Sequence, residues 1–337
     1  MVIETLINID KTSAKLRLLG INLKGQEIRI AYFNNSKQSI DLTFPSNCEG
    51  YGRIHHFRII QGEGWPLDPL PIDPALHALG LPEANEISAQ VFQIAVCNLR
   101  CWYCYVDRDL RNANPEFSAF LNVEEMLDLY LSETERPPII DLSGGQPDLV
   151  PEWILWFADI VHDRKLEKEV YLWSDDNLST DFLWRFLSKE EINRLASYKN
   201  YGRVGCFKGF DEYSFSFNTN APPELFKSQF SLMRRLVESG FDVYGYVTLT
   251  SDQDKNLNLR ITDFIDRLQS EVHPVFPLRT IPQRILEFTP TRERIRAKQQ
   301  KALEIQNEVV YLWQKEIERR FPIEVCEKRI YEHKLIL

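Results

Sequence analysis

The chain has 337 residues, and 40 Lys and Arg against 49 Asp and Glu leave a formal charge of −9. Hydrophobic residues at 44 % and charged residues at 26 % are ordinary globular values, which excludes a disordered or fibrous chain. The acidic balance argues against sequence-independent nucleic-acid binding. The absence of a long apolar run, and of a signal-peptide pattern at MVIETLINID, leads to the expectation of a cytoplasmic protein with reduced thiols and no membrane partner.

Residues 1–87 read as an N-terminal β-rich lobe and connector. LRLLGINL, EIRIAYF and SIDLTF alternate apolar and polar residues between turn signals, and QGEGWPLDPLPIDP is an extended link. Across 88–290 strands alternate with helices. VFQIAV is the first strand and ends at Cys97, and Asn122 with Glu125 predicts a capping box before NVEEMLDLYLSE. PPIIDLSG is the second strand, followed by the helix PEWILWFADIVHD with Pro151 in its first turn. EVYLWS is the third, with helical sequence from Thr180 to Ser197 after it. RVGCFK is preferred to YSFSFN as the fourth. The helix PPELFKSQFSLMRRLVES closes at Gly240, FDVYGYVTL is the fifth strand, and LRITDFIDRLQSE is a helix. A sixth strand falls within 274–289. Residues 291–337 form a C-terminal helical extension, whose long helix starts at Thr289-Pro290 and carries an apolar stripe through Ile295, Leu303, Val310, Trp313 and Ile317. The fold class is therefore α/β: a partial (β/α)6 barrel with a small N-terminal β-rich lobe and a C-terminal helical extension.

Three of the six cysteines sit together in Cys97-Asn98-Leu99-Arg100-Cys101-Trp102-Tyr103-Cys104. Three thiolates in a tight loop suit a four-iron cluster with one iron left open. A three-cysteine zinc site or reduced bystander thiols are the alternatives, but no second cysteine pair or nearby His completes a zinc knuckle. With its preceding strand and Tyr103 just before the last cysteine, the segment resembles the radical S-adenosylmethionine (radical SAM) superfamily. The resemblance spans 88–290. It implies a [4Fe-4S] cluster on Cys97, Cys101 and Cys104 and S-adenosyl-L-methionine (SAM) on the open iron. It also implies reductive cleavage of SAM to a 5′-deoxyadenosyl radical that abstracts a substrate hydrogen. The implied partners are an electron donor such as flavodoxin or ferredoxin, and a small-molecule or peptide/protein substrate.

Further segments fall into place on that resemblance. Ser143-Gly144-Gly145-Gln146-Pro147 matches the superfamily's G-G-E-P motif, which binds the methionine amino group, with Gln146 accepting through its amide oxygen where the family has an acid. Ser174 and Asp175 end the third strand, where the family presents polar groups to the cofactor; a helix-capping turn is the alternative. Cys206-Phe207-Lys208 resembles the fourth strand of glycyl-radical-enzyme activases, which implies Lys208 at the cofactor carboxylate. Tyr244, Tyr246 and Thr248 point into the barrel, beside the adenine or as filling. The basic residues between Arg279 and Lys301 face an anionic substrate or form a solvated helix face. Two functions follow: a radical SAM enzyme, either a glycyl-radical activase or a modifier of peptides or small molecules, and a non-catalytic metal- or cluster-bearing binding protein on the same scaffold. No individual catalytic residue is singled out.

Overall fold

The computed structural model describes residues 6–59 and 68–336. Its strands are β1 (Ile21–Asn22), β2 (Glu27–Ala31), β3 (Gly52–Arg58), β4 (Glu86–Gln93), β5 (Ser118–Asn122), β6 (Ile139–Ser143), β7 (Tyr171–Asp176), β8 (Tyr201–Phe207), β9 (Val243–Thr248) and β10 (Thr280–Gln283). Seven form one half-barrel sheet in the order β10-β9-β8-β7-β6-β4-β3. Its six strands from β4 to β10 run parallel with helical crossovers, and β3 is added antiparallel at the edge. A second, small antiparallel sheet joins β1, β2 and β5. This is the expected partial barrel, with the sixth parallel strand at Thr280–Gln283.

Side chains alternate across each strand, so each strand serves two cores. Inside, Ala89, Ile139, Tyr171, Trp173, Val204 and Tyr244 pack on Leu70, Ile72 and Ala75, so the helix Ile72–Leu79 plugs the end where the parallel strands begin. Outside, Phe92, Phe207 and Leu142 pack against helices Pro151–Asp163, Leu225–Glu238 and Leu257–Arg267. The space left inside therefore lies at the strands' C-terminal ends, the usual binding end of parallel α/β sheets.

Local signals held where a capping side chain fixes the chain. Asn122 and Glu125 exchange bonds of 2.8 Å in a capping box. YSFSFN lies in the helix Glu212–Thr219 because Asp211 accepts from Ser214 N at 2.7 Å, leaving all of RVGCFK but its last residue in β8.

Three expectations are corrected. LRLLGINL is not a strand: most of it is the end of the helix Ile9–Gly20, which buries Ile9, Ser13, Leu16, Arg17 and Gly20 and exposes Leu18 and Leu19. Asn8 caps it at 3.0 Å, and Arg17 pairs with Glu152 across the crossover helix. SIDLTF is not a strand: its first half ends a 3₁₀ turn over Lys37–Asp41, held by Ser36, and Asp41 accepts from Thr289 N at 2.8 Å. The C-terminal helix does not start at Thr289. One turn, Thr289–Arg292, precedes a break, and the long helix spans Ala297–Arg320 and buries Ala302, Gln306, Val309, Trp313 and Ile317. The break frees Arg294 to reach the cysteine loop. The connector residues 60–67 lie outside the described residues.

Candidate functional site

Cys97, Cys101 and Cys104 line one cavity of about 170 Å³ at the C-terminal ends of the parallel strands. Their loop is fixed through its backbone. Arg100 N and Trp102 N donate to the carbonyls of Thr219 and Asn218 at 3.1 and 3.2 Å, and the Trp102 indole donates to Asn218 Oδ1 at 3.0 Å. Two guanidinium groups hold the carbonyls. Arg111 donates to Leu99 O at 2.8 Å, and Arg294 donates to Cys101 O at 2.9 Å and to Cys104 O. Burial raises the Cys97 thiol and pushes Cys101 up to about 11, so both are protonated at neutral pH without a bound cation. Burial opposes the Arg111 charge, but the three neighbouring cysteines hold it above the usual arginine range. Among the described residues no group of three His, Cys, Asp or Glu is arranged to hold a single metal ion.

The turn after β6 faces the loop. Gly144 and Gly145 take φ of 58° and 60°, the left-handed region that disfavours other residues. A Cβ on Gly145 would meet the carbonyl oxygens of Ile94 and Val96, and one on Gly144 would meet the Gln93 side chain. Gln146 lines the cavity, yet its side chain is engaged within the protein. Its Nε2 donates to Asp176 Oδ1 at 2.7 Å, and its Oε1 accepts from Asn177 N at 2.8 Å. The amide oxygen expected to receive the cofactor's amino group thus already carries a backbone bond. Pro147 is buried and opens a 3₁₀ turn, outside the cavity lining.

On β7, Asp175 lines the cavity while Ser174 points the other way and bonds Tyr201 OH at 2.8 Å. Lys208 lines the cavity just after β8, its backbone fixed by Gln229 Oε1 at 3.1 Å and Asn218 Nδ2 at 2.9 Å. Burial works against its charge, but Cys206, Tyr103, Cys101 and Asp175 together hold the ammonium well above the ordinary lysine range. Burial in turn pushes Asp175 up to about 7, with Lys208 pulling it down. Tyr103 accepts from Thr248 Oγ1 at 3.0 Å. Tyr246 reaches the cavity, whereas Tyr244 lies in the apolar interior beside Trp173. The cavity thus gathers the cysteines, Tyr103, Gly144, Gly145, Gln146, Asp175 and Lys208, but not Ser174 or Pro147.

A second wall was not foreseen. Arg53 and His55 of the edge strand β3, with Asp68, Tyr105 and Asp141, line the same cavity. Asp68 binds His55 Nε2 at 3.0 Å and accepts from the Tyr246 hydroxyl, spanning from β3 to β9. GRIHHFR, with its apolar residues three apart, gives no alternating signal for β3, whereas an Asp inside the apolar strand IIDLS was the signal for Asp141. The basic run Arg279–Lys301 does not form one face. Arg279 is buried on Asp242 and on the carbonyls of Val243 and His333, Arg284 lines the cavity, and Lys298 and Lys301 pair with Asp252 and Asp254.

No family model and no curated protein matches the chain. Among solved structures, Streptococcus suis SuiB bound to S-adenosylmethionine is 16 % identical with a TM-score of 0.42, over 66 % of this chain and 46 % of SuiB, so the chain spans under half of SuiB's length. Spore photoproduct lyase complexed with dinucleoside spore photoproduct is 10 % identical with a TM-score of 0.45, over 68 % and 74 % of the two chains. TYW1 with a lysine–pyruvate adduct is 12 % identical with a TM-score of 0.34, over 53 % and 61 %. No helix among the described residues is long and apolar enough to cross a membrane.

Proposed function

We propose that this chain is a radical SAM enzyme, with a [4Fe-4S] cluster on Cys97, Cys101 and Cys104 and SAM bound beside Gly144, Gly145, Asp175 and Lys208. The observation that carries the reading is the opening of the cysteine triplet, the paired left-handed glycines, a half-buried lysine and a carboxylate onto one cavity. The donor set fits: soft sulfur ligands from one loop, with cationic groups nearby to favour thiolates. When bound, the two groups supply a one-electron cleavage of the sulfonium C–S bond, yielding methionine and a 5′-deoxyadenosyl radical.

The chain's own residues position and shield. Lys208, kept protonated, is placed to pair with the methionine carboxylate. Asp175 accepts from ribose hydroxyls or from the methionine ammonium. Gly144 and Gly145 allow close backbone approach, and Gln146 acts indirectly by fixing the Asp176–Asn177 turn. Tyr103, held by Thr248, walls the cavity beside the cysteine loop. The plug of Leu70, Ile72 and Ala75 closes the far end against water. Flavodoxin or ferredoxin is the expected reductant, with a small molecule or peptide as substrate. Anaerobic reconstitution followed by iron analysis and a dithionite-driven 5′-deoxyadenosine assay tests the reading. About four irons per chain and SAM-dependent 5′-deoxyadenosine are expected. Neither appearing would sink it.

A further inference from the structure

Two ionisable side chains on the β3 side of the cavity form no ion pair among the described residues. Arg53 is only 4 % exposed, and among the described residues its side chain's one hydrogen bond goes from Nη2 to Tyr105 OH at 2.9 Å. Its Nε is buried without a partner. Asp141 is also 4 % exposed; Oδ2 accepts from Ser143 Oγ at 3.0 Å, and Oδ1 is buried without a partner. A guanidinium and a carboxyl in such settings are costly unless something completes them. The two are register neighbours of the same residue: Arg53 pairs with Val91, and Val91 pairs with Asp141. Two strand spacings of about 4.8 Å separate their backbones, with only a valine between. Both line the cavity, and Arg53 also lines an adjoining one of about 100 Å³ that reaches the protein's edge at Asp41 and Thr43.

We propose that Arg53 and Asp141 form a zwitterion site, taking the carboxylate and the ammonium of a free α-amino acid that serves as substrate. This rests on the radical SAM reading only in leaving Gly144, Gly145, Asp175 and Lys208 to the cofactor. A planar guanidinium with free N–H groups matches a carboxylate. Asp68 does not compete for the ammonium, because His55 and Tyr246 already occupy its oxygens. An acid set beside the guanidinium calls for a ligand that carries a positive group next to its carboxylate, which a phosphate lacks. Burial and the nearby Asp175 hold Asp141 well above the usual carboxylate range, as fits an acid lacking its cation. The substrate's remaining side chain is then free to extend toward the cysteine loop or into the adjoining cavity.

The test is a thermal-shift screen of the purified chain, first without cluster and then anaerobically reconstituted with SAM. Its probes are the proteinogenic L-α-amino acids, each paired with its decarboxylated amine and its N-acetyl derivative, and phenyl phosphate. At least one free amino acid should stabilise the protein, while its amine and N-acetyl forms should not. Arg53→Gln and Asp141→Asn should each weaken that binding more than tenfold, and Arg53→Lys should retain part of it. Should Arg53→Gln fail to fold, Asp141→Asn carries the comparison. No shift by any amino acid, an equal shift by the amine or by phenyl phosphate, or a shift that survives both variants would overturn the proposal. Because binding is read without 5′-deoxyadenosine, a failure here is distinct from a failure of the cluster assignment.

Discussion

Asp175 and Asp176 are adjacent on β7 and both border the cavity, yet their partners differ. Outside the half-barrel, the charge of Arg203 is paired with Asp148 at 2.6 Å and Asp176 at 3.5 Å, all nearly fully buried. Asp176 Oδ1 also accepts from Gln146 Nε2 and from Leu178 N at 2.8 Å. Inside, Arg53, Lys208, Asp141 and Asp175 share a cavity without forming a single ion pair among the described residues. The same residue types thus hold the fold on one face and await ligands on the other. Charge left without an ion pair at the cavity is what separates binding groups from structural ones here.

The contrast breaks most sharply at the cysteines. Replacing Cys97, Cys101 or Cys104 by Ser should abolish cluster incorporation, measured as iron and sulfide per chain after reconstitution, while Ala at Cys48, Cys206 or Cys326 should leave it intact. A triplet variant that keeps a full cluster would contradict the assignment. Next comes the outer triad. Arg203→Met leaves Asp148 and Asp176 without their cation and should cost about 3–5 kcal/mol in urea unfolding. The inner Arg53→Gln, by contrast, should leave the empty protein as stable or more so. Equal losses would dissolve the distinction. Gly145→Ala should cost about 2–4 kcal/mol, since the left-handed backbone and the carbonyls of Ile94 and Val96 both resist a Cβ.

Much of this was legible in the sequence because local chemistry determined it. The Asn122–Glu125 box, Pro151 at its helix start and the glycine pair each carry their meaning in a few residues. The cysteine spacing placed three side chains at one cavity for the same reason. What stayed hidden depends on long-range partners. The helix through Leu16 looked like a strand because its buried face is set by Glu152 and by the crossover helix, more than a hundred residues on. Gln146 looked like a ligand residue because nothing local reveals that Asp176 and Asn177 take both ends of its amide. Arg53 went unnoticed because its meaning lies in its lacking an ion-pair partner among the described residues, which only the folded structure displays.

The smallest expected effect is also the finest test of the contrast. Asp175 sits near 7 in the folded chain because burial and the neighbouring Asp68 outweigh Lys208, against about 3.9 for a free aspartate. Its folded value lies above its unfolded one, so between those values the native state binds more protons and stability falls as pH rises. Asp175→Asn should remove that decline. The side chain is half-buried and faces a cavity that admits water, so screening keeps the gain to about 1 kcal/mol. Urea unfolding of the cluster-free protein should show Asp175→Asn more stable than the parent at about pH 8 and equal to it at about pH 4. Asp176→Asn should instead lose about 1–3 kcal/mol, because its carboxylate pairs with Arg203 and holds the Gln146 turn. If both variants shift stability in the same direction at the higher pH, neighbouring aspartates on β7 do not divide into ligand-facing and structural roles.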